Sequence, residues 1–572
     1  MARGALCCVG LPCLAVLAAL CVVTRLFAPR FIDQQISAGI RENIVLNPSV
    51  SRDIYDSFLN NTQSDASPTY MKFYFFNITN LEDVREKGSK PVLEELGPYT
   101  YRVYYSRFDV DFNFDGHIQY KDYKYYVPEP SMSAGSFDDK IFTLNIPLVG
   151  ALSRIGNDYE SSFVRWALGL ATKQISSWSD EDAFGLFARR TVSQLLWGYE
   201  DPLLKQLSRF VDVDEVVAFF VNGTRDSEAE MLNIMNTGLK DLSEIGQYEM
   251  WEGEVEHEWT THQEKVRGTD GTRFFPEVVK VDQAVDIWVG DLYRTLTLRG
   301  KEVKDFSGVE VVRFELDDGV LIPNAYYDQS ILGLINVTKP MTRAQGAPVY
   351  FSLPHFCRSS EALKNGVVGM SCDPERHTLF VDVEPNTGLA IRGGKRLMLS
   401  SEFGPAFSQV EPNVVQTVLP IFWVDGAEEA TEDQLDLIKD SIYWAQDVSR
   451  HTRTASLVGS IVFLFLLVAL FACVTIRAKY IRRKLKAKQD QVTQVEMQTG
   501  PPDRGLILDV DVEAGEGGQD MSSPLVRHGS VLPTSRPIDS ALSWDLDESG
   551  IAINPLALES NNSLRSRPSD RI

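Results

Sequence analysis

The stretch 455–476, ASLVGSIVFLFLLVALFACVTI, lies within 23 uncharged residues between Arg453 and Arg477. At about 1.5 Å per helical residue, such a run crosses a hydrocarbon core of roughly 30 Å. Seven cations, Arg477, Lys479, Arg482, Arg483, Lys484, Lys486 and Lys488, follow within twelve residues. Positive charge crowded against one end of a span places that end in the cytosol. Residues 455–476 therefore read as a transmembrane helix, and 477–572 as a cytosolic polybasic segment and tail.

Toward the chain start, Gly4–Thr24 is a second uncharged run, 21 residues between Arg3 and Arg25. The region before it is very short, and small-residue spacing of the cleavage type is confined to Ala15–Ala19 inside the run. It reads as an uncleaved anchor in preference to a signal peptide. The expected topology is a two-span hairpin with both termini cytosolic. Residues 1–27 would be a short N-terminus and first span, and residues 28–454 one extracellular or lumenal domain.

Charge follows that geography. Residues 28–454 carry 65 acidic and 41 basic side chains, a net of −24, against −23 for the whole chain. A domain of this sign does not gather nucleic acid or anionic membrane surfaces indiscriminately. Sequons at Asn60, Asn77, Asn222 and Asn336 mark candidate glycosylation sites. Of seven cysteines, only Cys357 and Cys372 lie in 28–454. An oxidising compartment favours a disulfide between them, on the order of 3 kcal/mol by loop closure; the alternative is two buried thiols. Cys7 and Cys8, at the cytosolic membrane edge, are candidate palmitoylation sites.

Within the domain, Phe31–Asn47 has helical texture and stops at Asn47-Pro48. Met71–Asn77, Tyr99–Tyr105 and Gln119–Val127 are rich in Tyr, Phe and Val and predict strands, with Gly97-Pro98 as a turn. Texture turns helical from Pro147 to Phe210. Tyr159, Phe163, Trp166 and Leu170 form one apolar row, and Val164, Leu168, Ala171 and Ile175 a second. Ser179 is placed to cap another helix through Trp197. Across 148–199 the charges balance, five basic against five acidic, so this region repels an anionic ligand least. Strand texture resumes from about Val211 to Pro420, and Thr431-Glu432-Asp433-Gln434 caps a last amphipathic helix leading into the span.

Several segments then carry a resemblance in order: FFNITN (75–80), KPVLEELGPYTYR (90–102), LNIPLVG (144–150), TVSQLLWGYEDPLL (191–204), GTDGTRFFP (268–276), PVYFSLPHF (348–356), HTLFVDVEPNTG (377–388) and KRLMLS (395–400). Together they resemble the class B scavenger receptor family over roughly residues 5–480. The resemblance implies an α+β protein, a large β-rich antiparallel barrel-like ectodomain between two transmembrane helices. It also implies a helical head, about residues 147–210, and an apolar tunnel leading to the bilayer. Implied ligands are lipids or lipoprotein particles bound at the head, with lipid passing through the tunnel. A sorting receptor for a lumenal protein in the lysosome is the second role the family offers, and plasma membrane and lysosomal or endosomal membrane both remain open. The chain departs from the family in lacking most of its loop disulfides, in a head without histidine and in a much longer cytosolic tail, where sorting adaptors would bind.

Candidate ligand-binding residues are Phe163, Val164 and Leu168 for apolar walls, and Lys173, Arg189 and Arg190 for an anionic group. At least one of the two arginines is expected to brace the head through nearby acids. No nucleophile elbow, HExxH or clustered metal ligands occur, so no catalytic site, cofactor or metal is expected. A two-span ectoenzyme is the rival reading. Its best feature is His257 and His262 amid Glu254, Glu256 and Glu258, which equally suit a solvated acidic strand.

Overall fold

In the computed structural model the described residues are 52–62, 68–158, 182–209, 214–220, 232–341, 346–403 and 411–498, apart from residue 114. Asn222, Gly223 and scattered positions from 16 to 49 are also described. Two units are distinguished, 1–483 and 484–572. In the second, residues 484–498 continue the helix Trp444–Gln498.

The first unit is organised by one thirteen-stranded sheet. Eleven of its strands form a single antiparallel path. From one edge the order is Tyr248–Met250, Leu232–Asn236, His117–Pro128, Leu93–Phe112 and Thr69–Ile78. It continues through Thr417–Glu429, Ala390–Phe403, Phe380–Val383, Val309–Leu316, Arg294–Phe306 and Ala284–Val289. Ile335–Asn336 and Tyr350–Ser352 branch from Ala390–Phe403.

A short clasp nearly closes the two edges into a barrel. Tyr248 N–H donates to Gly268 O (2.9 Å), while Thr269 N–H donates to Asp286 O (3.0 Å) and Thr269 O accepts Trp288 N–H (2.8 Å). Gly268 adopts φ +96°, and a Cβ there would lie 2.9 Å from the Ile287 carbonyl carbon. Glycine is needed because the chain turns with positive φ against a neighbouring backbone. Within GTDGTRFFP this turn is a barrel seam.

Alternation along the strands makes two cores. Phe73, Phe75, Tyr99, Tyr101, Phe314, Leu397 and Val424 belong to the inner cluster. Tyr74, Phe76, Met398 and Trp423 belong to an outer one, which packs under the helix Ile146–Asp158. A third cluster joins Val309, Val311 and Ile391 to Leu435, Ile438 and Ile442 of the last helical segments. There Thr431 and Gln434 form the reciprocal cap expected from sequence (3.3 and 3.0 Å).

The helix Trp444–Gln498 contains the anticipated span, and it is the one described helix apolar and long enough to cross a membrane. Gly4–Thr24 falls mostly outside the described residues, as do Cys7, Cys8 and the tail beyond 498. Every described position from 16 to 44 is helical, so the helix expected over Phe31–Asn47 stops before Val45.

Two local expectations need correction. Gly97-Pro98 is not a turn between elements; the strand Leu93–Phe112 runs through it, with a register break opposite Phe73–Phe75. Of the helix proposed from Ser179 to Trp197, the described residues, from 182 on, form a β-hairpin followed by one short helix. Ala183–Phe184 pairs with Phe187–Thr191 around Gly185 (φ +67°), and only Val192–Trp197 is helical, capped by Thr191. Pairing of Phe187–Thr191 with Lys140–Leu144 decides this. That partner lies some fifty residues away, beyond the reach of a local helical pattern.

Candidate functional site

The described part of the head is pinned by capping and by the small sheet. Asn145 donates to Gly185 O (3.2 Å), joining the start of Ile146–Asp158 to the hairpin turn. Thr191 Oγ accepts Gln194 N–H (3.1 Å) and Gln194 Oε1 accepts Thr191 N–H (2.9 Å). The helix so fixed buries Val192, Leu195 and Leu196 in the inner cluster. Phe219 and Phe220 hang from the Leu195 and Leu196 carbonyls (3.0 and 2.9 Å). Trp197 meets Tyr101 (4.9 Å) and Tyr126 (4.8 Å), while Phe219 and Phe220 meet Phe422 (5.0 and 6.1 Å). The result is an aromatic collar where the head joins the barrel interior.

Phe163, Val164, Leu168 and Lys173 lie outside the described residues. Arg189 pairs with Asp182 (2.6 Å), which also takes Lys140 (3.0 Å). Arg190 is 3% exposed, lies 3.8 Å from Asp201 and covers the Tyr199 ring at 4.6 Å. Arg190 thus has the bracing role expected of at least one of the pair, and Arg189 holds the base of the hairpin.

Sequence reading missed a polar column on the inner wall. Tyr99 and Tyr101 face inward, so Tyr105 and Arg107 do too, and Val424 places Glu428 on that side. Lys395 follows from Leu397, and Lys124 and Asp122 from Tyr126. Glu428 and Lys124 remain exposed, and Lys395 and Asp291 keep 45% and 48% side-chain accessibility although they form an ion pair. Burial acts to raise the Asp291 carboxyl, but the charge and hydrogen bond of Lys395 outweigh it and hold it low. Inward-facing yet wetted side chains are what a hollow interior produces. Apolar patterning alone conceals them, because the column is split among strands distant in sequence.

A second missed cluster flanks the disulfide Cys357–Cys372, whose Cα atoms are 5.1 Å apart. His355 and His377 are buried and stacked at 4.5 Å. Ser371 N–H donates to His355 Nδ1 (3.1 Å) and Asp373 N–H to His377 Nδ1 (3.0 Å), one on each side of Cys372. With Nδ1 accepting Asp373 N–H, the hydrogen-bond network assigns His377 the neutral Nε2–H tautomer. Glu95 takes His355 Nε2 (2.5 Å), Trp423 Nε1 (2.8 Å) and Arg376 Nη2 (3.2 Å). Burial works to raise the Glu95 carboxyl, yet these donors keep it below its ordinary value. Burial, His355 and Arg376 push His377 down to about 4.

The two histidines offered for a metal are separated by packing. His257 stacks on Trp288 (5.6 Å), while His262 stacks on Tyr326 (3.4 Å) and contacts Glu264 (3.1 Å). Among the sequons, Asn60 and Asn336 each accept a main-chain N–H from the Thr two residues on (3.4 and 3.0 Å), and Asn222 is exposed beside Tyr126. Asn77 is half-buried in its strand and accepts Phe142 N–H (3.0 Å).

A nearly closed antiparallel barrel, a head over its aromatic end and a terminal apolar helix define a membrane-held receptor ectodomain. The chain belongs to the CD36 family, whose sequence profile matches residues 13–471. It is similar to lysosome membrane protein 2 of Rattus norvegicus, 29% identical over 434 residues (72% of this chain, 85% of that protein). Against scavenger receptor class B member 1 of Rattus norvegicus it is 28% identical over 423 residues (71% and 78%). Lysosome membrane protein 2 of Homo sapiens matches at 28% over 438 residues (73% and 86%).

Proposed function

We propose that this protein is a lipid-binding membrane receptor and transporter. The head binds lipids or lipoprotein particles, and lipid passes through the barrel interior to the bilayer. The observation that carries this reading is the wetted inner wall beneath the aromatic collar: Glu428, Lys124 and Lys395 face inward yet stay accessible. Such a hollow accepts chains against its aromatic end and polar groups lower down. In this reading the passage is lined by polar as well as aromatic groups.

The topology that serves this function is a two-span hairpin with residues 28–454 outside the cytosol and glycans at Asn60, Asn77, Asn222 and Asn336. Glycosidase treatment should lower the mass, and protease added to sealed vesicles should remove only the tail. A protected tail refutes the hairpin. Lipid extraction and mass spectrometry of the purified protein test the ligand class directly. Lys173→Glu should weaken anionic-lipid binding several-fold, a charge pair at a wetted mouth being worth about 1 kcal/mol. Phe163→Asp and Leu168→Asp should weaken uptake whatever the headgroup. Unchanged binding and transfer in all three folded variants would overturn the head as the lipid mouth.

A further inference from the structure

Asn222 and Gly223, of the sequon Asn222-Gly223-Thr224, lie along a strand edge beside the aromatic collar. The strand Leu232–Asn236 pairs with that edge of His117–Pro128 over His117–Lys121. Further along, the sequon takes its place. Tyr126 N–H donates to Asn222 Oδ1 (2.9 Å), Asn222 Nδ2 donates to Tyr126 O (3.3 Å) and Gly223 N–H donates to Lys124 O (3.1 Å). The collar residues Phe219 and Phe220 stand just before Asn222 and hang from Leu195 and Leu196. The sequon therefore sits where a collar segment is fastened to a strand edge.

Tyr126 packs on the inner cluster, so Tyr123 and Tyr125 face outward. Tyr104 lies directly opposite Tyr125 on the next strand and stacks on it at 5.0 Å and 12°. Arg102 covers Tyr104 in turn, at 4.8 Å. Stacking across the strand pair covers the Tyr125 face turned to Tyr104, and the opposite face is turned to the edge that Asn222 occupies. Gly223 keeps that approach open: it has φ +72° and no side chain, and a Cβ there would lie 3.3 Å from Tyr123 Oη and 3.9 Å from Tyr125 Cβ. Tyr104, Tyr123 and Tyr125 are each half-buried, so ring surface remains for a partner. A pyranose suits that surface. Its axial C–H face is flat and apolar and packs on an aromatic ring, while its hydroxyl and acetamido groups stay in water.

We propose that the N-linked glycan of Asn222 packs its first N-acetylglucosamine against Tyr125 and Tyr123, and so clamps the collar segment to the strand edge. This rests on the topology above, which puts Asn222 outside the cytosol, and the test separates the two. Full-length protein would be made with high-mannose glycans and trimmed by an endoglycosidase to a single N-acetylglucosamine. It would be compared with Thr224→Ala, which removes the sequon and keeps Asn222. Hydroxyl-radical footprinting should show Tyr125 oxidised severalfold faster in Thr224→Ala, with the buried Tyr120 unchanged. Amide exchange at Phe219 and Phe220 should rise about fivefold, equivalent to about 1 kcal/mol. Tyr125→Leu should give the same rise, the double variant no more than either alone, and Tyr125→Phe none. Unchanged Tyr125 oxidation on loss of the sugar would overturn the clamp, and this result needs no change at Tyr125 itself. Additive effects of Thr224→Ala and Tyr125→Leu on exchange would overturn it too. Glycopeptide mapping that finds Asn222 unoccupied in wild-type protein refutes a glycan at this sequon, and the clamp with it.

Discussion

His377→Asn isolates the acid sensitivity of the disulfide-flanking cluster. The wild-type ring is 2% exposed and lies among His355, Arg376, Glu95 and Asp373, all of which act on its charge. Protonation has to place a proton on Nδ1, which already accepts Asp373 N–H at 3.0 Å. Its value of about 4 lies below the 6.5 of a free histidine, so the unfolded chain takes up the proton first. Stability is therefore full above about pH 6.5 and falls as pH drops toward 4. Integrated between pH 7 and 4.5, this one group costs about 2.5 kcal/mol. Asparagine keeps an acceptor for Asp373 N–H and cannot titrate. Urea unfolding of the glycosylated protein at both pH values should show wild type losing about 2 kcal/mol more than the variant on acidification. Carboxylates outside this cluster are common to both proteins and cancel in that difference. Equal acid losses would refute the reasoning.

Three further outcomes are expected. Asp382 is 1% exposed and receives Arg313 on two nitrogens and Arg392 at 3.2 Å, so Asp382→Ala should destabilise by about 3–5 kcal/mol in the same unfolding assay. Gly268→Ala forces a side chain into positive φ at the seam; a loss of about 2 kcal/mol and faster amide exchange at Tyr248 and Trp288 should follow, and unchanged exchange would argue against the clasp. Replacing Cys357 and Cys372 together by Ser should cost about 3 kcal/mol, and non-reducing peptide mapping of wild type should recover the cross-linked pair.

What the chain alone decided lies where local chemistry is sufficient. The span, its polybasic edge and the Thr431 cap follow from uninterrupted apolarity, charge and a four-residue motif, none of which needs a distant partner. The disulfide was legible because compartment and count left one pairing. The family, too, was legible, through ordered segments that the profile over 13–471 matches. Tertiary pairing decided the rest. Ala183–Thr191 became a hairpin because Lys140–Leu144 lay beside it, overriding a helical pattern. Gly97-Pro98 stayed within a strand because the neighbouring strand Thr69–Ile78 pairs on both sides of it. His355 and His377 became one stacked pair only through the loop that Cys372 closes. The inner column of Arg107, Lys124, Lys395 and Glu428 was invisible for the same reason. Each residue reads as an ordinary polar position on its own strand, and only barrel closure turns those faces toward a common interior.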